Sequence, residues 1–442
     1  MPIAVALATV TIVIAVVMSA PNGDRVITVA QQDGLRGALA PRTTDVSAGG
    51  RYVAFQSWAR LVPADEDNLP DVYVLDRHTG RVTLESGGAD PLTENAHPRI
   101  SGDGRLVVFE SRATRQEDLP RIDIMLRDRE AATTRSLTVD AHRGNVFAWS
   151  RTPDISDNGA RVVFSSAATT LVPGADMNGA TEDIYVVDLP TGRIVRASVT
   201  GTGAQLSIGS SILPSLNVDG TIVAFASTAP LDDSPAANAT VTKRQIFVRD
   251  MNTGTTTRIS RDARGARTEG DSSQPSISGD GRYVAFASEA ANIVANDVNR
   301  GPDVFFFDRD TSTTTRVSRS ADGSSPNGSS LNAVISADGR YVAFQSDAGN
   351  LTCAGRCPAI LEDINLLWDI FVWDRVTGHI SRASEDELGG WMEWSTGPAI
   401  DRSGRVLAFS SRHPMDASDQ RDDLDLFVRG LPSPALTTAA KK

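Results

Sequence analysis

One eleven-residue phrase recurs along the chain and constrains its fold more than any other feature. It first runs from Asp45 to Phe55 and returns at Ser276 to Phe286 and at Val334 to Phe344. Their spacing, with that of the looser copies, is roughly 54 to 65 residues, which is typical of architectures built from one recurring supersecondary unit. We therefore predict a closed array of seven units that fills most of the 442 residues. The looser copies end at Phe109, Phe164, Phe225 and Phe409.

Each unit is predicted to be a four-stranded antiparallel meander. In the fifth copy, Pro275 to Ser278 is a short innermost strand, and a glycine turn joins it to a second strand, Arg282 to Ser288. Asp303 to Asp308 and Thr314 to Ser318 supply the third and fourth strands. Runs such as Val-Phe-Phe-Phe lack clean alternation, which indicates that both faces of each sheet are covered. The predicted fold class is all-β: a seven-bladed β-propeller of four-stranded antiparallel blades.

The two ends of the chain are predicted to share the last blade. The seventh copy supplies three strands, the third at Asp425 to Val428, and lacks a fourth. Asn22 to Val29 resembles the turn and fourth strand of the first copy, Thr79 to Leu84. We expect this N-terminal strand to complete the last blade, because closure of the ring removes exposed strand edges. Residues 21–432 are assigned to the propeller and 433–442 to a disordered tail.

The repeat phrase also resembles that of a known family. Ser-x-Asp-Gly-x-x-Val-Ala-Phe-x-Ser, followed by Asp-Val/Ile-Phe/Tyr-Val-x-Asp and Thr-Gly, is similar to the TolB-like branch of the WD-repeat-like β-propellers. The resemblance spans Asp24 to Leu431 and implies the propeller fold. Members of that group range from periplasmic interaction proteins to the propeller halves of peptidases, so the resemblance implies no single activity. Gly49-Gly50 and Ser403-Gly404 replace Asp-Gly in the first and seventh copies, which flank the closure.

Charge excludes two classes of partner. The formal net charge is -12, and the sequence lacks the basic stripe with which proteins bind phosphate backbones. Nucleic acid and anionic lipid are therefore not expected as partners. We expect the propeller to be a monomer.

Residues 1–20 are predicted to be a signal peptide or an N-terminal membrane anchor. Pro2 to Ala20 carries no charged side chain and is long enough to span a bilayer. No Lys or Arg precedes this run, and Pro21 follows it directly. The alternative of an uncleaved anchor therefore stays open, and a buried strand is the third alternative. The protein is therefore expected to be exported: periplasmic, extracellular or anchored to the outer face of the cytoplasmic membrane.

The two cysteines, Cys353 and Cys357, lie close together in the sequence. In an exported chain this favours a disulfide, which would close a very short loop and contribute about 2 kcal/mol at most. A free thiol pair is the alternative. A zinc site would need two further ligands, and the five histidines are scattered elsewhere.

Loop length distinguishes the two faces of the predicted propeller. The connections from second to third strands and from blade to blade share one face, which we call the long-loop face; it includes the acidic loops 63–68, 173–182 and 412–423. The tight turns share the opposite face, where arginines follow the turns, so this tight-turn face is expected to be comparatively basic. Binding usually resides on long loops held by a rigid frame. We therefore place the functional surface on the long-loop face, around the mouth of the central channel.

Aromatic connectors on the long-loop face are candidates for ligand binding. Trp391, Glu393 and Trp394 lie in one connector, and Phe147 and Trp149 lie in another. Tryptophan faces beside polar groups suit sugar rings or extended peptides. Capping of the core is the structural alternative. These positions predict a protein, peptide or glycan partner.

Four acidic loops carry Asp-x-Asn-x-x-x-Asp or a close relative of it. Oxygen ligands at this spacing are typical of the first half of calcium loops, although no glutamate follows where a bidentate ligand is needed. Asp and Asn also favour turns, so turn formation is the alternative to a calcium site. No other cofactor is predicted. The residues concerned are Asp65, Asp67, Asp71, Asp176, Asn178, Asp183, Asp297, Asn299, Asp303, Asp363, Asn365 and Asp369.

Catalysis is the less favoured prediction, and no catalytic residue is assigned. The sequence contains no Gly-x-Ser-x-Gly nucleophile elbow. Glu393 with Asp401 or Asp154 is a conceivable carboxylate pair for glycan chemistry, but pairs of acids arise readily in so acidic a chain. We predict an exported, non-catalytic binding or scaffold protein, with an extracellular polysaccharide-acting lyase or hydrolase as the alternative. The innermost strands offer mainly small polar side chains: Ser47, Ser101, Ser156, Asn217, Ser278, Ser336 and Asp401.

Overall fold

The fold is a ring of seven antiparallel sheets. The computed structural model describes residues 15–19, 25–29, 44–87, 93–113, 121–138, 149–232, 243–299, 301–320, 322–352, 367–385, 394–412 and 425–431. Within these ranges the chain forms 29 β-strands and no α-helix. No helix in this part of the chain could therefore cross a bilayer. The arrangement confirms the predicted seven-bladed all-β propeller.

The strands follow one another blade by blade. The first two are β1 (Ala15–Ser19) and β2 (Arg25–Val29). Blade 1 contains β3 (Thr44–Val46), β4 (Tyr52–Ser57), β5 (Asp71–Asp76) and β6 (Arg81–Leu84). Blade 2 contains β7 (Thr93–Ile100), β8 (Leu106–Ala113), β9 (Ile122–Asp128) and β10 (Thr133–Ser136). Blade 3 contains β11 (Ser150–Ile155), β12 (Arg161–Ser166), β13 (Asp183–Asp188) and β14 (Arg193–Arg196).

The remaining blades repeat this order. Blade 4 contains β15 (Ser211–Leu216), β16 (Ile222–Ser227), β17 (Gln245–Asp250) and β18 (Thr256–Arg258). Blade 5 contains β19 (Ser272–Ile277), β20 (Tyr283–Ser288), β21 (Asp303–Asp308) and β22 (Thr313–Arg316). Blade 6 contains β23 (Ser330–Ile335), β24 (Tyr341–Ser346), β25 (Asp369–Asp374) and β26 (Ile380–Arg382). Blade 7 contains β27 (Ser395–Ile400), β28 (Val406–Ser411) and β29 (Asp425–Gly430).

Blade 7 also receives the two N-terminal strands. Strand β2 pairs antiparallel with β29, with Ile27 opposite Val428, and β1 pairs with β2. The sheet therefore has the order β1-β2-β29-β28-β27. Blade 7 also contacts blade 1 directly, because one hydrophobic cluster joins Tyr73 of β5 to Leu426 of β29. Whether residues 1–20 are cleaved or act as an anchor stays a prediction.

A pair of stacked aromatic rings explains the phenylalanine that ends each repeat phrase. In six blades this Phe lies on the second strand and stacks on a ring of the third strand, as in Phe286 and Phe305, whose centroids are 5.7 Å apart. Blade 2 differs, since Phe109 lies opposite Met125. Such rings contribute both buried apolar area and specific stacking geometry. The other pairs are Phe55 and Tyr73, Phe164 and Tyr185, Phe225 and Phe247, Phe344 and Phe371, and Phe409 and Phe427.

The arginines of the tight-turn face are balanced by carboxylates. Arg282 makes a bidentate pair with Asp308, which ends the third strand of the same blade, at 2.9 and 2.8 Å. This pairing lowers the pKa of Asp308 to about 2, with the Arg282 guanidinium as the main cause. The expectation of a basic face overlooked these aspartates. Corresponding pairs join Arg51 to Asp76, Arg105 to Asp128 and Arg340 to Asp374.

We expect Gly339→Ala to lower the free energy of unfolding by about 2 to 3 kcal/mol. Gly339 has a φ of 66°, and a Cβ built there would lie 2.1 Å from a ring carbon of Tyr283 on the neighbouring blade. Gly203 is the matched control, since its φ is 82° but nothing lies within 4 Å of the corresponding Cβ. Gly203→Ala should cost only about 1 kcal/mol, the penalty of the left-handed backbone. Equal losses for the two variants in urea denaturation would contradict the proposed close contact.

Candidate functional site

In each predicted calcium loop, the last aspartate has a structural role. This residue begins the third strand, and its carboxylate accepts a hydrogen bond from a hydroxyl that follows the fourth strand. Ser198 donates to Asp183 at 2.7 Å and Ser318 donates to Asp303 at 2.7 Å. The same bond joins Ser86 to Asp71 and Ser384 to Asp369. The recurrence shows that these aspartates hold the outer strand to the blade.

In blade 3 the predicted ligands already surround polar protein groups. Gln205 Nε2 donates to Asp176 Oδ1 and Asn178 Oδ1, both at 2.6 Å, and lies 3.1 Å from Asp183 Oδ2. Arg196 of β14 adds a guanidinium, whose Nε is 3.1 Å from Asp183. The set is therefore satisfied by an amide and a side-chain cation.

In blade 5 an arginine and a hydroxyl group likewise contact the predicted ligands. Arg316 Nη1 of β22 lies 3.4 Å from both Asp297 Oδ1 and Asp303 Oδ2, and Ser325 Oγ donates to Asn299 Oδ1 at 3.0 Å. Arg316 and Asp303 are buried. Burial is the main cause that raises the pKa of Asp303, to about 7, and the second carboxylate on the same guanidinium adds to it. These contacts supply the positive charge that calcium would otherwise bring.

Blade 1 lacks this arginine. Leu84 lies opposite Tyr73, at the position that Arg196 and Arg316 take in their blades. Asp65, Asp67 and Asp71 bring carboxylate oxygens within 4.8 Å of one another. Asp65 and Asp71 also accept protein hydrogen bonds, from Tyr73 and Ser86. Calcium binding therefore stays a prediction for blade 1, and also for the blade 6 loop, of which Asp363 and Asn365 lie outside the described residues.

Part of the predicted binding set lies outside the described residues. This holds for Trp391, Glu393 and Phe147, for the calcium candidates Asp363 and Asn365, and for the cysteines Cys353 and Cys357.

Two members of the aromatic set are described. Trp394 is 40 % exposed, and the Arg412 guanidinium lies 4.8 Å from its ring centroid. Trp149 is half-buried, with Arg151 5.3 Å from its ring. Both residues belong to blade-to-blade connections, as the sequence predicts. The binding role of these residues stays a prediction.

The seven small polar residues that the sequence places on the innermost strands are turn caps. Ser278 Oγ accepts the backbone N–H of Tyr283 at 2.9 Å, and Asp401 Oδ1 accepts that of Val406 at 2.8 Å. Equivalent bonds are made by Ser47, Ser101, Ser156, Asn217 and Ser336. All seven side chains are buried. Asp401 is therefore occupied by the fold, and it does not line the channel cavity that includes Asp154.

The central channel contains a cavity of about 230 Å³. At its tight-turn end, backbone hydrogen bonds run from blade to blade, for example from Ala48 N to Gly102 O and from Gly102 N to Asp157 O, both 3.0 Å. Arg402 of blade 7 donates through Nε to Asp157 of blade 3 at 2.6 Å. Because blades 3 and 7 are not neighbours, this ion pair spans the channel. A ligand would therefore approach from the long-loop end.

A ring of side chains lines the middle of the channel, two residues before each turn cap. We call it the charged ring, although its charge is confined to blades 1 to 3. Asp45 Oδ2 and Asp154 Oδ2 each accept a backbone N–H of a neighbouring blade at 2.8 Å. Ser215 and Ser276 do the same through their hydroxyls. The ring consists of Asp45, Arg99, Asp154, Ser215, Ser276, Val334 and Ala399.

Burial raises the pKa of the carboxyl groups of this ring. The Asp154 side chain is only 19 % exposed, and Arg99 Nε lies 4.0 Å from its Oδ1. Burial is the main cause that raises the pKa of Asp154, to about 6, and Arg99 opposes the shift. Burial likewise raises the pKa of Asp45. Arg99 and, more weakly, Arg402 thus oppose the desolvation of both carboxylates, a feature that sequence reasoning missed.

A second ring lies nearer the long-loop face, at a bulge in the innermost strand of each of blades 2 to 7. Six of its residues have left-handed backbone, with φ between 50° and 63°. The strand register shifts at these bulges. Strained backbone of this kind is uncommon for residues other than glycine. We call this set the mouth ring: His97, Thr152, Leu213, Gln274, Asn332 and Gly397.

Exposed apolar side chains concentrate on the long-loop face. Among the described residues, seven large hydrophobic side chains are exposed, and six of them belong to connections on this face. The exception is Val376, in a tight turn on the opposite face. The six are Trp58, Met177, Ile208, Val298, Leu367 and Trp394.

Fold and channel together define a seven-bladed β-propeller, the fold that the repeat phrase predicts. No family model and no curated protein matches the chain. Among solved structures it is similar to oligogalacturonate lyase from Vibrio parahaemolyticus, with a TM-score of 0.56 and 13 % identity over 94 % of this chain and 96 % of that one. It is also similar to the β-propeller domain of the Trilobed protease from Pyrococcus furiosus, which has an open velcro topology. There the TM-score is 0.52 and the identity 11 %, over 93 % of this chain and 100 % of that one.

TolB from Acinetobacter baumannii is a third solved structure that the chain resembles. The TM-score is 0.42 and the identity 12 %, over 86 % of this chain and 81 % of that one. At such identities the first two comparisons show the fold alone, because one fold supports many activities, and no conclusion is drawn from the third.

Proposed function

We propose that the chain is an exported, non-catalytic binding or scaffold protein that engages a partner protein through its long-loop face. The observation that carries the proposal is the one-sided distribution of exposed apolar side chains. Val298 is 79 % exposed, Met177 57 % and Ile208 49 %, and all three lie on the long-loop face. Large apolar groups gathered on one side of a soluble fold are typical of interaction surfaces.

The chemistry of these side chains favours a protein over a glycan. Four of the six are aliphatic or thioether groups, whereas sugar rings prefer the flat faces of aromatic residues. The acidic loops beside them and the net charge of -12 favour a partner with basic residues around an apolar centre. Export is proposed from the uncharged N-terminal run of residues 2–20.

Among the described residues, the buried channel carboxylates have structural partners, which supports a non-catalytic role. Asp45, Asp154 and Asp401 all accept backbone N–H groups. Asp157 is paired with Arg402. These contacts account for the carboxylates without a reaction.

We expect the triple variant Met177→Asp, Ile208→Asp, Val298→Asp to reduce retention of the partner protein at least tenfold. Charges placed at the centre of an apolar interface are costly to desolvate. The assay compares the immobilised wild type and the variant for stoichiometric capture from an envelope extract of the native host, with cross-links mapped to the long-loop face. Val376→Asp is the matched control, because Val376 is 66 % exposed on the opposite face. Equal capture by the triple variant, or turnover of a polysaccharide panel by the wild type, would overturn the proposal.

A further inference from the structure

We infer that the central channel binds an organic cation, a protonated amine or a guanidinium group, beside Asp45 and Asp154. The inference deepens the proposed function and rests on it for one of two sources of the cation, a Lys or Arg side chain of the partner protein. A free small amine is the other source. The group would enter from the long-loop end, since Asp157 and Arg402 span the channel at the other end.

The charges that line the cavity leave an excess of one carboxylate. Three aspartates, Asp45, Asp154 and Asp157, face two arginines, Arg99 and Arg402. Arg402 is engaged with Asp157, and Arg99 lies 4.0 Å from Asp154. Asp45 is therefore the carboxylate without an ion-pair partner of its own, and it interacts with Arg99 and Arg402 only at longer range. A cation in the cavity would balance it.

Hydrogen-bonding capacity in the channel also favours a donor ligand. Asp45 Oδ2 accepts the N–H of Ile100, and the backbone N–H of the adjacent Val46 also stabilises this carboxylate, whose oxygens still have acceptor capacity for a further donor. Ser215 and Ser276 place hydroxyl oxygens in the same ring. An ammonium group has three donors and no acceptor, so it matches a site rich in acceptors.

A buried acceptor without a partner among the described residues lies on β4, the strand that pairs with the strand of Asp45. Gln56 of β4 is 5 % exposed, and its Oε1 has no hydrogen-bond partner in the described part of the chain. Its counterparts in other blades bond to the mouth ring: Glu110 Oε1 accepts Thr152 N at 2.7 Å, and Gln345 Oε1 accepts Gly397 N at 3.4 Å. By this repeat the counterpart of those mouth-ring partners for Gln56 is His97, which lines the cavity. An unsatisfied buried acceptor is costly, and a donor ligand would remove that cost.

An anionic ligand fits the same cavity poorly. Arg99 Nη1 donates to the carbonyl oxygens of Thr44 and Pro98, at 3.4 and 3.1 Å. Arg402 is held by Asp157. Both channel guanidinium groups are thus already engaged, and an anion would also meet the uncompensated Asp45. The cavity of about 230 Å³ has room for the end of one amine or guanidinium side chain.

The test measures binding of n-butylammonium to the full chain by calorimetry, with n-butanol as the neutral probe of the same size. We expect n-butylammonium to bind at least tenfold more tightly than n-butanol, and Asp45→Asn to weaken its binding at least tenfold. The asparagine keeps an amide oxygen for the N–H of Ile100 and removes the charge, so the blade contact is retained. Asp103→Asn, on an exposed turn outside the cavity, is the matched control and should bind n-butylammonium like the wild type. Equal affinities for the two probes, or unchanged affinity in Asp45→Asn, would overturn the inference.

Two further arms identify the source of the cation. A blocked peptide with one lysine is compared with the same peptide carrying norleucine. Tighter binding of the lysine peptide than of n-butylammonium supports a partner side chain, whereas equal affinity supports a free amine. The Met177, Ile208, Val298 triple variant separates the two proposals, because it should lose the partner protein yet bind n-butylammonium normally. If the wild type captures no partner but still binds n-butylammonium, the proposed function fails and the cation site stands.

Discussion

A chain that begins at residue 31 should unfold at least about 4 kcal/mol more easily than one that begins at residue 21. The shorter chain lacks β2, so the backbone groups of β29 that pair with Ile27, Thr28 and Val29 lose their partners. Starting both chains after β1 prevents that strand from occupying the vacant place. Urea denaturation measures the difference, and the shorter chain should also aggregate, because a long exposed strand edge templates pairing with other chains.

The appropriate control removes the opposite end of the chain. Deletion of residues 433–442, predicted to be a disordered tail, should leave the free energy of unfolding unchanged. Equal stability and equal solubility of the chains that begin at 21 and 31 would show that blade packing alone closes the ring. The contact between blades 7 and 1 is the part of the closure that would then suffice.

The second large effect is expected at the ion pair that spans the channel. Arg402→Ala should lower the free energy of unfolding by about 3 kcal/mol, because it leaves the Asp157 carboxylate largely buried and unpaired. The side chains of Arg402 and Asp157 are only 26 % and 13 % exposed. Burial is also the main cause that raises the pKa of Asp157, so Arg402 is what favours its charged form.

A double-mutant cycle isolates this interaction. Asp157→Asn combined with Arg402→Ala should be at least about 1.5 kcal/mol more stable than the sum of the single losses predicts. High salt should change this coupling little, since screening acts mainly on exposed pairs. Additive losses would mean that the two side chains do not depend on each other. Arg105→Ala removes an ion pair on the tight-turn face of blade 2 whose arginine is 49 % exposed, and it should destabilise the protein much less than Arg402→Ala.

The fold was accessible from the sequence because the chain contains seven versions of one unit. Phe286 and its counterparts mark the second strand, and each copy supports the assignment made in the others. The exact ends of the strands were harder to predict from the sequence. The fourth strand of blade 5 spans Thr313–Arg316, whereas the sequence predicts Thr314 to Ser318. Ser318 instead leaves the strand and bonds to Asp303, a contact that propensity and periodicity do not register.

The candidate site was less accessible, because its key contacts join distant parts of the chain. The acidic loops suggest a metal when read alone, but Arg316 and Arg196 occupy the same strand position in their blades and carry the compensating charge. Comparing the fourth strands with one another would have revealed both arginines. The charged ring has a comparable signal, since Asp45 and Asp154 both lie two residues before a serine. No local signal could indicate the pairing of Arg402 with Asp157, because opposite blades bring them together.

In the mouth ring the backbone conformation does not depend on the type of side chain. Six blades repeat the same left-handed conformation while carrying histidine, threonine, leucine, glutamine, asparagine and glycine there. The backbone geometry is thus tolerant of chemistry at these positions. We therefore expect substitutions in the mouth ring to change the ligand selectivity of the propeller while each blade keeps its fold, so the mouth ring is suited to the engineering of selectivity.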